Sequence, residues 1–524
     1  MHVLQKEPGV ISPAVRSKLL LSLLIIVVLL GLYWPVMQAV YGAADDFPTF
    51  FPVDDHIPRI YRADGRPILE LLLYLVSGFI RQLADLRLLR GISVLGIGLL
   101  CVALFQATRR LFPRPEYRLA VCISIGALPT LVVFAAWATV WSYSWGAMLA
   151  VVAGMICWRG CRLRESNAFS KAIFCWLAST IFLVLIFWTY QPLVSWFWIV
   201  GVIAVLDDRF LRNRFYRREC AWFVAAGFVQ MATCFVALKA FIFLSGVEAK
   251  SRVQLLSDPV AKVLALGRTT VTMVLDQWQV VDVDRKPFML LIAALAGLII
   301  LAGFIVALAR PSIRSRVSVR MRLLWLGAIA CCFALSHVHG LAADVNVKNY
   351  RTIGALCVCT TILLAWSLRL ITESVFRGER GRLVLRIVAG WLLIVSLGMA
   401  QANVVHYWTS PFPRGYAYLV EQLEEKLTPN TRRIHLIRQT VDDGIVTERA
   451  MHAFGRPLTE PEWVMPGIVI AALRDIRQEQ IDLNLQLEYS DSLGPGDAPE
   501  GDDVVVIDMR ELTKFRSGYE ANSP

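Results

Sequence analysis

Leu19-Leu-Leu-Ser-Leu-Leu-Ile-Ile-Val-Val-Leu-Leu-Gly-Leu-Tyr-Trp-Pro-Val-Met-Gln-Ala-Val40 is apolar almost throughout, and it ends at Tyr41-Gly-Ala-Ala-Asp45-Asp46. A helix needs about 20 apolar residues to cross a bilayer, and this run supplies them. It is too long for the apolar part of a signal peptide and lacks a small-residue cleavage site. It therefore reads as a retained first membrane helix, with two carboxylates emerging directly from its end.

The rest of the chain continues that theme. Of 524 residues, 56% are hydrophobic, 11% aromatic and only 18% charged, which excludes a soluble enzyme, a disordered chain and a coiled coil. Ten further apolar runs follow, near 90–108, 119–138, 143–158, 172–188, 191–206, 220–245, 287–309, 323–341, 350–368 and 387–404. With the first, these predict a polytopic α-helical membrane protein of about eleven spans.

The net charge of +12 is unevenly divided. From Pro411 onward there are 12 Lys/Arg and 20 Asp/Glu, against 41 and 21 before it. The chain is thus a basic, hydrophobic body and an acidic, water-soluble tail. Within the body the arginines cluster between apolar runs, as at Arg109–Arg118, Arg159–Arg164, Arg209–Arg218, Arg310–Arg322 and Arg369–Arg386. Short basic loops stay cytoplasmic. Eleven spans with residues 1–18 inside put all these clusters inside and the tail, 411–524, outside.

The stretch 67–83 breaks this count if it crosses; either it is a re-entrant or interfacial helix, or one later span is misread. All eleven cysteines precede residue 360 and read as small packing residues, without metal-ligand spacing. Basic charge here orients helices, and nothing points to nucleic acid.

Three outer segments are long enough for chemistry: 42–66, 246–286 and the tail. The cytoplasmic loops are short and basic and carry no glycine-rich phosphate cradle. The first outer loop holds Asp45, Asp46, Asp54, Asp55 and Asp64 with Arg59, Arg62 and Arg66. Asp45 and Asp46 sit at the bilayer surface, where partial desolvation raises a carboxyl's pKa toward that of a working general base.

Asp45-Asp46 after the first helix, Asp64-Gly-Arg-Pro67 opening the next apolar stretch, Tyr190-Gln-Pro192 at an outer span end and Lys348-Asn-Tyr-Arg351 before a late span form an ordered set. In that set, over most of residues 15–410, the chain resembles the GT-C superfamily of membrane glycosyltransferases. More narrowly it resembles the bacterial O-antigen glucosyl transferases of serotype conversion. The second pair, Asp54-Asp55, departs from that pattern and leaves the choice of acid open.

The resemblance implies a GT-C-like catalytic domain over 19–410 in a bacterial inner membrane. It implies inverting transfer of a hexose, glucose above all, from a polyprenyl-phosphate carrier to an O-antigen or similar surface polysaccharide. Asp45 or Asp46 would be the base. Arg66, Arg351 and Lys348 would hold the donor phosphate, with Arg59 and Arg62 as alternatives. Asp54, Asp55, Arg59, Arg62, Tyr190 and Gln191 would contact substrate. No metal or other cofactor is required, although paired carboxylates suit Mg²⁺. Interfacial snorkelling and an aromatic belt are the plain alternatives for Arg351, Lys348 and Tyr190.

Two other functions fit a polytopic chain. An O-antigen polymerase or ligase would lean on basic outer loops, whereas the loop here is acidic. A flippase or transporter would show internal repeats or ionisable residues within spans; only Lys239 qualifies. His337 and His339 read as hydrogen-bonded core residues. The middle of 246–286 has the spacing of an amphipathic surface helix. The tail alternates helix- and strand-like segments, with strands at 433–438, 483–488 and 504–508, and predicts a small periplasmic α/β domain.

Overall fold

The computed structural model describes residues 13–52, 57–246, 286–310, 317–342, 349–438, 464–477, 486–490 and 501–510, with isolated positions at 258–278, 313–315 and 499. Asp54, Asp55 and Lys348, and most of 246–286, lie outside the described residues, as does the side chain of Arg59.

The order begins α1 (Pro13–Leu32), α2 (Trp34–Gln38), α3 (Asp46–Phe50), α4 (Ile57–Ala63), α5 (Pro67–Ser77), α6 (Leu86–Ala107), α7 (Pro115–Gly126) and α8 (Pro129–Ala136). It continues α9 (Trp141–Glu165), α10 (Phe169–Thr189), α11 (Trp198–Leu206), α12 (Arg209–Arg212), α13 (Arg214–Ser245) and α14 (Lys286–Ala309). Then come α15 (Val319–Leu335), α16 (Val338–Ala342), α17 (Tyr350–Val375), α18 (Gly378–Asn403), α19 (Pro411–Lys426), β1 (Arg433–Ile437), α20 (Met465–Arg477), β2 (Gln486–Ser490) and β3 (Val504–Asp508).

Seven helices are long and apolar enough to cross a membrane, or eight if α7 and α8, bent by 57°, form one span. Among the described residues, that number does not confirm the expectation of eleven full-length spans. Prolines account for most of the difference, because proline lacks an N–H and disfavours helix at the residue before it. Pro129 restarts the helix after the bend, Pro35 sits at the start of α2, and Pro192 opens a 3₁₀ segment (Gln191–Phe197) ahead of the short α11. In the 67–83 stretch, α5 has 11 residues, or about 16 Å of helix, which is shorter than the hydrocarbon thickness of a bilayer.

Lipid-facing surfaces are plain in the side chains. On α14, Leu291, Leu295, Leu298 and Ile305 are exposed along one stripe, and on α10 so are Phe174, Leu177 and Ile181. Apolar stripes of this size are stable only against lipid or protein. The chain is a multi-pass membrane protein.

Inside the bundle, α6, α9 and above all α17 are enclosed by neighbours. Asn349 caps α17 by accepting from Thr352 N at 3.2 Å, and Thr130 Oγ1 donates to Tyr350 O at 2.9 Å. These bonds fix the N-terminal end of α17 against α8.

The tail is a three-stranded parallel sheet in the order β2-β1-β3, with Arg433 opposite both Gln486 and Val504. Parallel neighbours need crossover connections, and α20 lies in the one between β1 and β2. Of the strand expected at 483–488, residues 486–488 fall in β2, and 483–485 lie outside the described residues.

Candidate active site

The two adjacent carboxylates of the first outer loop have different environments. Asp46 opens α3 and is fully buried. Its Oδ2 accepts from Ala43 N at 2.7 Å, and its Oδ1 accepts from Thr139 N at 2.6 Å and Thr139 Oγ1 at 2.5 Å. Burial pushes its carboxyl up to about 6, while those bonds and the charge of Arg90 pull it down. It ties the loop to the turn between α8 and α9, and its oxygens face inward.

That environment makes a pH prediction. The folded protein holds the Asp46 proton more tightly than the unfolded chain does. The resulting stability is complete below about pH 4 and is lost as pH rises through about 6, up to ~3 kcal/mol. Asp46→Asn removes this titration. Thermal unfolding at pH 4 to 7 should fall with pH more steeply in the wild type than in the variant; equal slopes would contradict the assignment.

Arg90 supports the same loop from below. It is fully buried near the N-terminal end of α6 and donates to Val36 O at 3.1 Å, Ala39 O at 2.8 Å and Tyr41 O. These are carbonyls that the broken end of α2 leaves without helical partners. Its guanidinium also stacks over the Tyr41 ring at 3.7 Å.

Asp45 is different: its side chain is 34% exposed and Arg351 Nη1 stands 3.6 Å from its Oδ2. Arg351, from the first turn of α17, lies over the Trp137 ring at 4.1 Å. Tyr61 of α4 closes another side, bonded to Thr49 Oγ1 at 2.9 Å. Burial first, and then the Asp45 charge, raise the Tyr61 hydroxyl's pKa. Asp45 is thus a reachable carboxylate with a cation beside it.

Arg66 joins this group. It is 3.8 Å from Asp64, sits over the Tyr190 ring at 4.8 Å, and its buried Nε makes no hydrogen bond. Tyr190 in turn stacks flat on Tyr143 at 4.2 Å. Asp45, Arg66 and Arg351 all lie within electrostatic reach of Tyr143.

Two expected substrate contacts have other work. Gln191 Nε2 donates to Asp64 O at 3.1 Å and Gly65 O at 3.0 Å, so it holds the backbone of the first outer loop. Arg62 makes a two-pronged pair with Glu70, at 3.0 and 2.7 Å, that joins α4 to α5. His339 Nδ1 pairs with Ser195 Oγ at 2.9 Å, with the His337 ring 5.0 Å away. Among the described residues no group of three or more His, Cys, Asp or Glu is arranged to hold a metal ion.

The tail domain docks on this same end of the bundle. A Cβ on Gly467 would stand 2.8 Å from the carbonyl carbon of Phe47, so α20 lies directly on the backbone of α3. Tyr416 stacks on Phe47 at 6.3 Å and Arg474 lies over Phe51 at 5.5 Å. Gly467→Val forces these backbones apart at a cost of about 1–3 kcal/mol. It should sensitise the tail to protease and lower activity while the spans stay folded; unchanged proteolysis would refute the docking.

Thr139, Trp137, Tyr143, Tyr61 and Arg90 were not among the sequence candidates. Trp137 and Thr139 had one signal, their place in a short outer turn between two apolar runs. Tyr190 was open to the plain reading of an interfacial belt, and its flat stacking on Tyr143 is a contact that sequence does not reveal.

No family model matches the sequence, and no curated protein matches it. Among solved structures, the chain is similar to the oligosaccharyltransferase of Archaeoglobus fulgidus, crystallised in complex with Zn and sulfate. The identity is 14% and the TM-score 0.41, over 84% of this chain and 62% of that one. The chain spans less than two thirds of that protein's length.

Proposed function

We propose that this chain is a GT-C-type membrane glycosyltransferase that moves a hexose from a polyprenyl-phosphate carrier to an acceptor glycan outside a bacterial inner membrane. The observation that carries the reading is the Asp45–Arg351 pair at the outer end of the bundle, half-exposed and flanked by Arg66 and stacked tyrosines.

A base and a phosphate-binding cation are the two groups such a displacement needs. Asp45 accepts the proton of an acceptor hydroxyl. The oxygen forms a bond to the anomeric carbon as the bond from that carbon to the phosphate oxygen breaks. The electron pair leaves with the phosphate and the configuration inverts. Arg351 and Arg66 meet the growing phosphate charge, which a planar guanidinium can bind through two oxygens. Tyr190 and Tyr143 offer a flat wall suited to a sugar face. Arg66 Nε, buried without an acceptor, supports a role for Arg66 toward an anion.

A glucose donor and an O-antigen acceptor remain the narrower form of this proposal, carried by the sequence resemblance. Membranes supplied with polyprenyl-phosphate-[14C]glucose and acceptor glycan test it directly. Label should enter the glycan and fail to do so when Asp45 is replaced. Transfer of preassembled oligosaccharide, with no incorporation from the monosaccharide donor, would overturn the proposal.

A further inference from the structure

The cytoplasmic ends of α6, α9, α11 and α13 enclose a second feature, remote from Asp45. Arg162 follows Tyr143 along α9 by about 28 Å, close to the hydrocarbon thickness of a bilayer. Here two adjoining cavities, of about 370 and 480 Å³, share Arg159 and Arg162 in their walls. The first is rimmed by Arg109, Arg110 and Arg209 as well, and floored by Met155, Trp158, Val200 and Ile203.

Five arginines thus meet three acids, Asp207, Glu165 and Glu219. Asp207 is committed to Arg209, with contacts from 2.6 to 3.0 Å. Among the described residues Arg109, Arg110, Arg159 and Arg162 make no ion pair. The crowding is felt: burial first, then the charges of Arg209 and Arg162, lower the Arg110 pKa. A basic loop that only orients a helix has no need of a concave, apolar-floored wall.

We infer that this arginine-lined cavity binds the phosphate headgroup of an inner-leaflet lipid. The guanidinium groups suit phosphate oxygens, and basic pockets between spans on the cytoplasmic side suit anionic headgroups. The apolar floor takes the glycerol and the first methylenes, which a free phosphate would leave bare. The surrounding acids limit the site to a single anion.

Native mass spectrometry of the full chain in detergent tests this, with phosphatidylglycerol as probe and phosphatidylcholine as the neutral comparison. Wild type should retain phosphatidylglycerol preferentially. Arg159→Gln with Arg162→Gln should weaken that binding roughly thirtyfold, about 1 kcal/mol per arginine. Arg159→Gln alone, on the exposed rim, should weaken it about fivefold and guards against misfolding of the pair. Arg380→Gln with Arg382→Gln, elsewhere on the cytoplasmic side, should bind as wild type. Equal binding by the Arg159/Arg162 variant, equal loss in the Arg380/Arg382 variant, or displacement by millimolar glycerol phosphate would each overturn the inference.

Discussion

Asp45→Asn should lower transfer at least about a hundredfold while leaving the protein at normal levels in the membrane. A general base contributes about 10² to 10⁴ in rate, and asparagine keeps the shape but cannot take a proton. The side chain is partly exposed, so its loss leaves no large buried void. Donor binding should be little changed, so the fall appears in kcat rather than KM. Asp46→Asn makes the internal comparison. Its three inward hydrogen bonds predict a less stable protein whose surviving fraction still turns over. Turnover per folded molecule, read from donor consumption and detergent-solubilised monodisperse protein, separates the two. If Asp45→Asn turns over normally, the base lies elsewhere.

Arg351→Ala should be the next most damaging change, by about 10² to 10³ in kcat. That is the cost of removing one donor aimed at charge developing in a transition state. Arginine here has two partners to lose, the Asp45 carboxylate and the leaving phosphate. The Trp137 ring behind it fixes the direction of the guanidinium. Arg351→Lys keeps the charge but not the two-pronged geometry, and should recover only part of the rate. Donors with a better leaving group should narrow the gap between wild type and Arg351→Ala, because less negative charge then needs support. If the gap stays the same for every leaving group, Arg351 serves only to place Asp45.

How much of this was legible in the sequence depends on chain distance. The first helix and the acids at its end are neighbours, so periodicity and charge found them together. The strand at 504–508 was readable because its apolar run is short and bounded by charge. Arg351 and Asp45 are some three hundred residues apart, and only the packing of α17 against α8 unites them. Asp45 and Asp46 look alike in sequence; a single residue's rotation about α3 puts one outward and one against Thr139. Gln191 was legible as an outer-rim polar residue, but its hydrogen bonds to the loop backbone depend on tertiary structure. The span count is least legible where prolines interrupt apolar runs, since composition there still satisfies a membrane helix while the helices themselves are short or bent.

The seat of Gly467 on Phe47 also sets a clock for biosynthesis. Phe47 leaves the ribosome early, and its partner is made only after more than four hundred further residues. At about 5–20 residues per second that interval is roughly 20 to 80 s. Through it, the loop carrying Asp45 lacks the surface that holds it, so a nascent or prematurely terminated chain would enter the membrane without a finished site.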